Sequence, residues 1–241
     1  MTRISFVSAA VLLAPSLVLA QTAAPRPIGG SVDLGFVTAS GNTSVETFSL
    51  GEKLKWTPTS RLTVAQGLRS VYAETDSTVV ANSLVIDASL DYSLIDGLGL
   101  TAGGAFERNR FAGIARRYEE FAGLAYRFST VAADSVRLTF AAVWTQQRNL
   151  ADERNDFVSA RGGVYYKRPI GPNAVFQQSL EAQPNLETSD DWQIDSETTL
   201  LAQLRRNLAL KLAYVVRYDN LPEPTFKPAD RILTAGLQAS F

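Results

Sequence analysis

The segment Leu233–Phe241 reads Leu-Thr-Ala-Gly-Leu-Gln-Ala-Ser-Phe, in which apolar residues alternate with residues that are polar or lack a side chain. The apolar residues occupy every second position: Leu233, Ala235, Leu237 and Ala239. A period of two indicates a β-strand with one face toward an apolar phase and the other toward water. The segment ends on the aromatic Phe241. This pattern predicts the closing strand of an outer-membrane barrel, with Phe241 as the signal for the barrel assembly machinery.

The same alternation recurs in twelve segments from Gly29 onward, each of about 9–11 residues, which is the length that a tilted strand needs to cross a bilayer. The connections between them alternate between short turns and longer polar loops, of which Arg148–Asp156 and Asp219–Asp230 are the longest. Short periplasmic turns and longer external loops are typical of outer-membrane barrels. The sequence therefore predicts an all-β fold: an antiparallel, up-and-down transmembrane β-barrel of about 12 strands.

Two soluble folds would also show alternating strands: a β-sandwich and a lipocalin-like barrel. The strand length, the hairpin-short turns and the absence of crossover helices favour the membrane barrel over both. In hydrocarbon, an open sheet edge would leave unpaired backbone groups that cost several kcal/mol each, so we expect the sheet to close.

The N-terminal residues have the features of a secretory signal peptide. Arg3 precedes an apolar run, and small or apolar residues at Val18–Ala20 suit cleavage. We expect a signal peptide over residues 1–20, a short flexible segment over residues 21–28, and the barrel over residues 29–241. Export by such a peptide predicts location in a bacterial outer membrane, with membrane lipid and the barrel assembly machinery as partners.

The composition excludes several kinds of chemistry. The chain contains no cysteine and no histidine, which removes thiolate sites, the usual general base and the Ser-His-Asp arrangement. The 23 basic and 24 acidic residues nearly balance, which gives no support for nucleic-acid binding. Carboxylate pairs such as Asp195 and Glu197 are interpreted as lumen charge. We therefore expect no enzymatic activity, no catalytic residues, no cofactor and no metal site.

The polar faces of the strands carry charged side chains of both signs. By alternation, the candidate lumen-lining residues are Asp87, Asp91, Glu107, Arg127, Arg137, Arg161, Lys167, Asp195, Glu197, Lys211 and Arg217. A mixed lining predicts a salt-bridged, largely closed interior rather than a strongly selective pore. Glu52 falls on an apolar face, and Gln66 and Ser70 interrupt that of the third strand.

Several stretches resemble a family of bacterial outer-membrane proteins. They are Gly41-Asn42-Thr43 followed by Phe48–Gly51, Phe106–Phe111 with Gly113, Ser196-Glu197-Thr198, and Leu210–Leu212 with Val216–Asp219. Over about residues 30–241, the sequence is similar to the family labelled as salt-induced outer membrane proteins. The resemblance implies an outer-membrane barrel, but it supplies no catalytic residues.

These patterns favour a non-enzymatic barrel: a small-solute channel, or an envelope protein with a structural role under osmotic or salt stress. The stress role is implied only by the family resemblance. Two alternatives remain. The first is a binding module whose external loops contact a ligand, and the second is a hydrolase that acts on the cell envelope.

Overall fold

The computed structural model describes residues 27–40, 45–75, 78–131 and 133–241. The predicted signal peptide and most of the predicted N-terminal segment lie outside these residues, as do Gly41, Asn42 and Thr43 of the first stretch that resembles the family. The strands are β1 (Ile28–Ser40), β2 (Val45–Trp56), β3 (Leu62–Thr75), β4 (Thr78–Ser93), β5 (Leu98–Asn109), β6 (Ile114–Phe128), β7 (Ser135–Asn149), β8 (Arg154–Ile170), β9 (Ala174–Pro184), β10 (Trp192–Arg205), β11 (Leu208–Asp219) and β12 (Ala229–Ser240). A short 3₁₀ helix, Arg110–Ala112, follows β5.

The twelve strands form one closed antiparallel barrel in chain order, which confirms the predicted fold class. The seam joins β1 to β12, in a register that runs from Ser31 opposite Ser240 to Ser40 opposite Arg231. Beyond this ladder, the amide of Gly30 donates to the carbonyl of Phe241 at 3.1 Å, and the amide of Phe241 donates back at 3.0 Å. The C-terminal residue therefore completes the seam between the first and last strands.

The apolar faces of the strands point outward. Leu34, Leu90 and Leu124 are 64%, 50% and 47% exposed, whereas Asp87 and Asp91 on the other face of β4 are partly buried. Exposed leucines that recur around a whole barrel leave the apolar surface on the outside, where hydrocarbon rather than a protein core would cover it. In the described part of the chain, no helix has the length and apolarity that a membrane crossing requires.

Two of the three polar residues that break the apolar faces of β2 and β3, Glu52 and Gln66, contact each other. The amide nitrogen of Gln66 donates a hydrogen bond to Glu52 Oε2 at 2.9 Å. These residues lie diagonally on neighbouring strands, because Glu52 pairs with Leu68 and Leu54 pairs with Gln66. Each residue thus supplies a polar partner to the other on a face where water is scarce.

Most strands are longer than predicted, and one predicted loop is wrong. The sequence predicts about 9–11 residues for each strand, whereas β8 has 17 residues and β7 has 15. The predicted long loop Arg148–Asp156 is a hairpin in which only residues 150–153 connect the strands. The backbone ladder continues through polar pairs up to Arg148 opposite Arg154, because hydrogen bonding between strands does not need an apolar face. The connection after β11, residues 220–228, remains long.

The barrel has two distinct ends. We call the end with the connections after β2, β4, β6, β8 and β10 the short-turn end, and the opposite end the loop end. One short turn, between β6 and β7, is fastened by Asp134, whose carboxylate accepts hydrogen bonds from the backbone amides of Thr130 at 2.8 Å and Val131 at 3.2 Å. A hydrogen bond from the Thr130 hydroxyl, together with these amides, holds the pKa of Asp134 below its usual value.

Candidate functional site

Two cavities inside the barrel define the candidate site. The outer cavity, of about 410 Å³, reaches the loop end, where Pro222 and Phe226 line it. The inner cavity, of about 1300 Å³, opens at the short-turn end beside the turn at residues 57–60. Both cavities are lined by the same four charged residues, Arg69, Asp87, Arg137 and Glu181, which we call the charged ring. The ring marks the level at which the two cavities meet.

A buried carboxylate on β5 binds arginines from two other strands. Glu107 Oε1 lies 3.1 Å from Arg217 Nη1, and Glu107 Oε2 lies 3.6 Å from Arg117 Nη1. Asn109 donates to the same carboxylate at 3.0 Å. β5 and β11 stand on opposite sides of the barrel, so the contact between Glu107 and Arg217 crosses the lumen. This contact narrows the outer cavity from side to side.

A second ion pair crosses the lumen at the charged ring. Arg69 Nη1 on β3 lies 3.4 Å from Glu197 Oε2 on β10, which is far from β3 around the barrel. Another ring residue, Arg137, donates to Asp91 at 2.8 Å. Asp87 and Glu181, by contrast, form no salt bridge with any residue that the structure describes. The ring thus combines two arginines that have acidic partners with two carboxylates that have no arginine or lysine within salt-bridge distance.

Further ion pairs line the wall rather than cross the lumen. Glu119 accepts hydrogen bonds from Arg161 and, at 3.2 Å, from Gln183. Lys211 lies 3.1 Å from Asp33, whose carboxylate also accepts a hydrogen bond from Gln238 at 3.1 Å. Gly51 stands opposite Asp33, and a Cβ at this glycine would overlap the Asp33 carboxylate. The absence of a side chain at residue 51 therefore makes room for the ion pair.

The connection between β11 and β12 folds over the loop end of the outer cavity. Glu223 accepts hydrogen bonds from Gln147 Nε2 at 2.7 Å and from Asn149 Nδ2 at 3.0 Å, both on β7. Phe226 of the same connection lines the outer cavity. These contacts dock residues 220–228 against the far wall of the barrel, so this connection caps the cavity.

The inner cavity differs from the outer one in its charges. Lys53 and Lys55 on β2 and Lys167 on β8 line it, and β2 and β8 are opposite each other in the barrel. None of these three lysines forms a salt bridge or a hydrogen bond through its side chain within the described ranges. The cavity therefore holds ammonium groups on two opposing walls without a paired carboxylate.

The structure places the candidate lumen-lining residues in this network. All of them except Asp87 and Lys167 take part in salt bridges among the described residues: Asp91, Glu107, Arg127, Arg137, Arg161, Asp195, Glu197, Lys211 and Arg217. Four of their salt-bridge partners, Asp33, Arg69, Arg117 and Glu119, are outside that list, and so is Glu223, which joins the network through hydrogen bonds. Arg117 shares the strand face of Glu119 and could have been found by alternation. Glu223 lies in a loop, where alternation gives no information.

Side chains that commonly ligate metals do not cluster among the residues that the structure covers. No group of three or more His, Cys, Asp or Glu side chains is placed there to hold a metal ion. Three carboxylates of the outer cavity, Glu107, Glu119 and Asp195, are paired with arginines, which favours the fixed charge of a lining over proton transfer.

The fold resembles that of solved outer-membrane barrels. The chain is similar to the NanC porin, with a TM-score of 0.59, 10% identity, and coverage of 86% of this chain and 98% of that chain. It is similar to a KdgM porin in complex with disordered oligogalacturonate, with a TM-score of 0.50, 14% identity, and coverage of 88% and 99%. The translocator domain of the autotransporter NalP from Neisseria meningitidis has a TM-score of 0.52, 10% identity, and coverage of 91% and 90%.

Comparison with curated proteins gives no match. A family model does match, over residues 32–241, and its description reads "Protein of unknown function, DUF481". Because this match spans nearly the whole barrel, the chain belongs to the DUF481 family.

Proposed function

We propose that this protein is a narrow outer-membrane channel for small hydrophilic solutes, with its short-turn end toward the periplasm. The observation that carries the proposal is that the inner and outer cavities share the four residues of the charged ring. A solute that crosses the barrel would pass from one cavity to the other through this ring. Cross-lumen ion pairs and the docked connection at residues 220–228 would keep the resting conductance low.

Single-channel recording in planar bilayers tests this proposal. The purified barrel should give small, discrete current steps that disappear when the protein is heat-unfolded before insertion. A folded barrel, identified by its heat-modifiable gel migration, that never conducts would overturn the channel and leave a structural or binding role. The salt-stress role implied by the resemblance is a separate prediction, which transcript measurement after osmotic shock would test.

Ion selectivity should depend on the charged ring. Arg137→Gln removes a positive charge and should shift the permeability ratio toward cations, whereas Asp87→Asn should shift it toward anions. A permeating ion 4 Å from a unit charge in water interacts with it by about 1 kcal/mol, so each permeability ratio should change by about fivefold at most. Reversal potentials in a salt gradient measure the permeability ratios of both variants. Shifts in the same direction, or no shift in either variant, would contradict the role of the ring.

The cap at the loop end should open when Glu223 is replaced. Hydrogen bonds to a charged group contribute about 1.5–3 kcal/mol each, so Glu223→Ala should release residues 220–228 from β7. We expect a higher conductance and faster cleavage of this connection by added protease. Asp152→Ala is the matched control, because it removes an acid that forms an exposed salt bridge with Arg148 in a neighbouring hairpin. Equal changes in conductance and in protease cleavage in the two variants would show that Glu223 does not hold residues 220–228 over the cavity.

A further inference from the structure

Among the residues that the structure describes, several lysines line the inner cavity without a carboxylate within salt-bridge distance. Lys53 and Lys55 reach it from β2, and Lys167 reaches it from the opposing strand β8. Seven other basic residues that face the lumen have carboxylate partners within 4.0 Å: Arg69, Arg117, Arg127, Arg137, Arg161, Lys211 and Arg217. The three unpaired lysines therefore stand apart from the general pattern of the lumen.

The acidic residues of the inner cavity form no salt bridge with these lysines among the described residues. Glu52 lies on the outward face of β2 and accepts a hydrogen bond from Gln66, and Glu197 lies 3.4 Å from Arg69, with no lysine of the described residues within 4.0 Å. Asp87 and Glu181 belong to the charged ring and so lie where the inner cavity meets the outer one. The three lysines line the inner cavity but not the outer one. Positive charge is thus concentrated on the side of the ring that faces the short-turn end.

The rest of the lining supplies neutral hydrogen-bonding groups. Ser31, Tyr165, Gln177, Ser179 and Gln238 contribute hydroxyl and amide side chains to the same cavity. At about 1300 Å³ the cavity exceeds the roughly 300–1,000 Å³ of pockets that hold drug-sized ligands. Ammonium groups on opposing walls suit a ligand with more than one negative charge, since each ammonium forms charge-assisted hydrogen bonds with a carboxylate or phosphate.

We propose that the inner cavity is a binding site for a small multivalent anion, bearing carboxylate or phosphate groups, that enters from the short-turn end. Lys53 and Lys167 hold the anion from opposite walls, and Lys55 adds a third positive charge nearer the turn. The site deepens the proposed channel by naming the class of solute that it concentrates. Binding itself needs only the closed barrel, so it does not depend on conduction.

Isothermal titration calorimetry of the folded full barrel in detergent tests the site. Citrate and pyrophosphate serve as carboxylate and phosphate probes, and raffinose serves as a neutral probe of comparable size. In about 50 mM salt, one or both anions should bind and raffinose should not. Binding should weaken when the salt is raised to about 500 mM, because ions screen the lysines. The anion that binds more tightly identifies whether the site prefers carboxylate or phosphate groups.

The decisive variant is the double substitution K53Q/K167Q, which removes one lysine from each wall. We expect its anion affinity to fall by about tenfold or more, because two charge-assisted contacts are lost. The matched control is R205Q/R206Q, which removes two exposed charges from the same end of the barrel but from residues that line neither cavity. Heat-modifiable migration establishes that both variants fold.

Three results would overturn the site: no binding of either anion, equal binding of raffinose, or equal losses in the two double variants. Anion binding by a barrel that never conducts would refute the channel and retain the site. Conduction without anion binding would refute the site and retain the channel. The two proposals can therefore fail independently of each other.

Discussion

Deletion of Phe241 should lower the amount of folded barrel in the outer membrane by about tenfold or more. The deletion removes the two backbone hydrogen bonds that Phe241 exchanges with Gly30, at 3.0 and 3.1 Å, beyond the last pair of the seam ladder. Net contributions of about 1 kcal/mol each are together worth somewhat more than tenfold in an equilibrium constant. Loss of the terminal aromatic also removes the predicted signal for the assembly machinery. Quantitative immunoblotting of membrane fractions measures the outcome.

A second variant distinguishes the contribution of the aromatic side chain of Phe241 from that of its backbone hydrogen bonds. Phe241→Ala keeps both hydrogen bonds but loses the aromatic ring, which packs so closely over Gly30 that a Cβ there would come within 2.8 Å of it. If recognition of the ring dominates, Phe241→Ala should assemble as poorly as the deletion. If the backbone bonds dominate, it should assemble nearly as well as the unaltered protein. Normal levels of heat-modifiable barrel after the deletion itself would show that Phe241 contributes to neither process.

Alternation along the strands was enough to predict the barrel, because side-chain direction in a strand depends only on whether a residue number is odd or even. In β4, for example, Leu90 and Tyr92 face outward and Asp91 faces inward. The strand ends were harder to predict. The ladder of β7 and β8 continues through Gln147 opposite Asn155, where no apolar face remains to mark a strand.

The partners of the lumen charges could not be predicted from the sequence. Alternation along β3 and β10 places Arg69 and Glu197 in the lumen, but a contact between these two strands depends on how the closed barrel staggers them. The same limit explains the pairing of Glu52 with Gln66: each is a visible exception on its own strand, and only the register joins them. The docking of Glu223 depends on the path of a loop, which has no periodic pattern.

Replacement of Glu107 should produce the largest loss of stability in the barrel interior. Its side chain is 16% exposed, and those of its arginine partners Arg117 and Arg217 are 10% and 26% exposed. Glu107→Gln preserves the size of the side chain but leaves two arginines without this carboxylate. Removing one member of a buried ion pair costs about 3–5 kcal/mol, because the remaining charge stays out of water. Urea unfolding in detergent micelles should show a decrease of about this size.

Two control variants distinguish the loss of a buried ion pair from a general effect of substitution on stability. Arg154→Gln removes a member of the exposed ion pair with Asp156 and should change the unfolding free energy by less than about 1 kcal/mol. The double substitution Glu107→Gln/Arg217→Gln removes both members of the cross-lumen pair. It should recover part of the lost unfolding free energy, because the Arg217 charge that Glu107→Gln leaves unpaired is then removed as well. Both Glu107 variants should also conduct more than the unaltered protein, since the bridge from β5 to β11 is absent. A Glu107→Gln barrel with unchanged stability and conductance would mean that Asp195, 3.8 Å from Arg217, already supplies the counter-charge, and that the lumen is narrowed elsewhere.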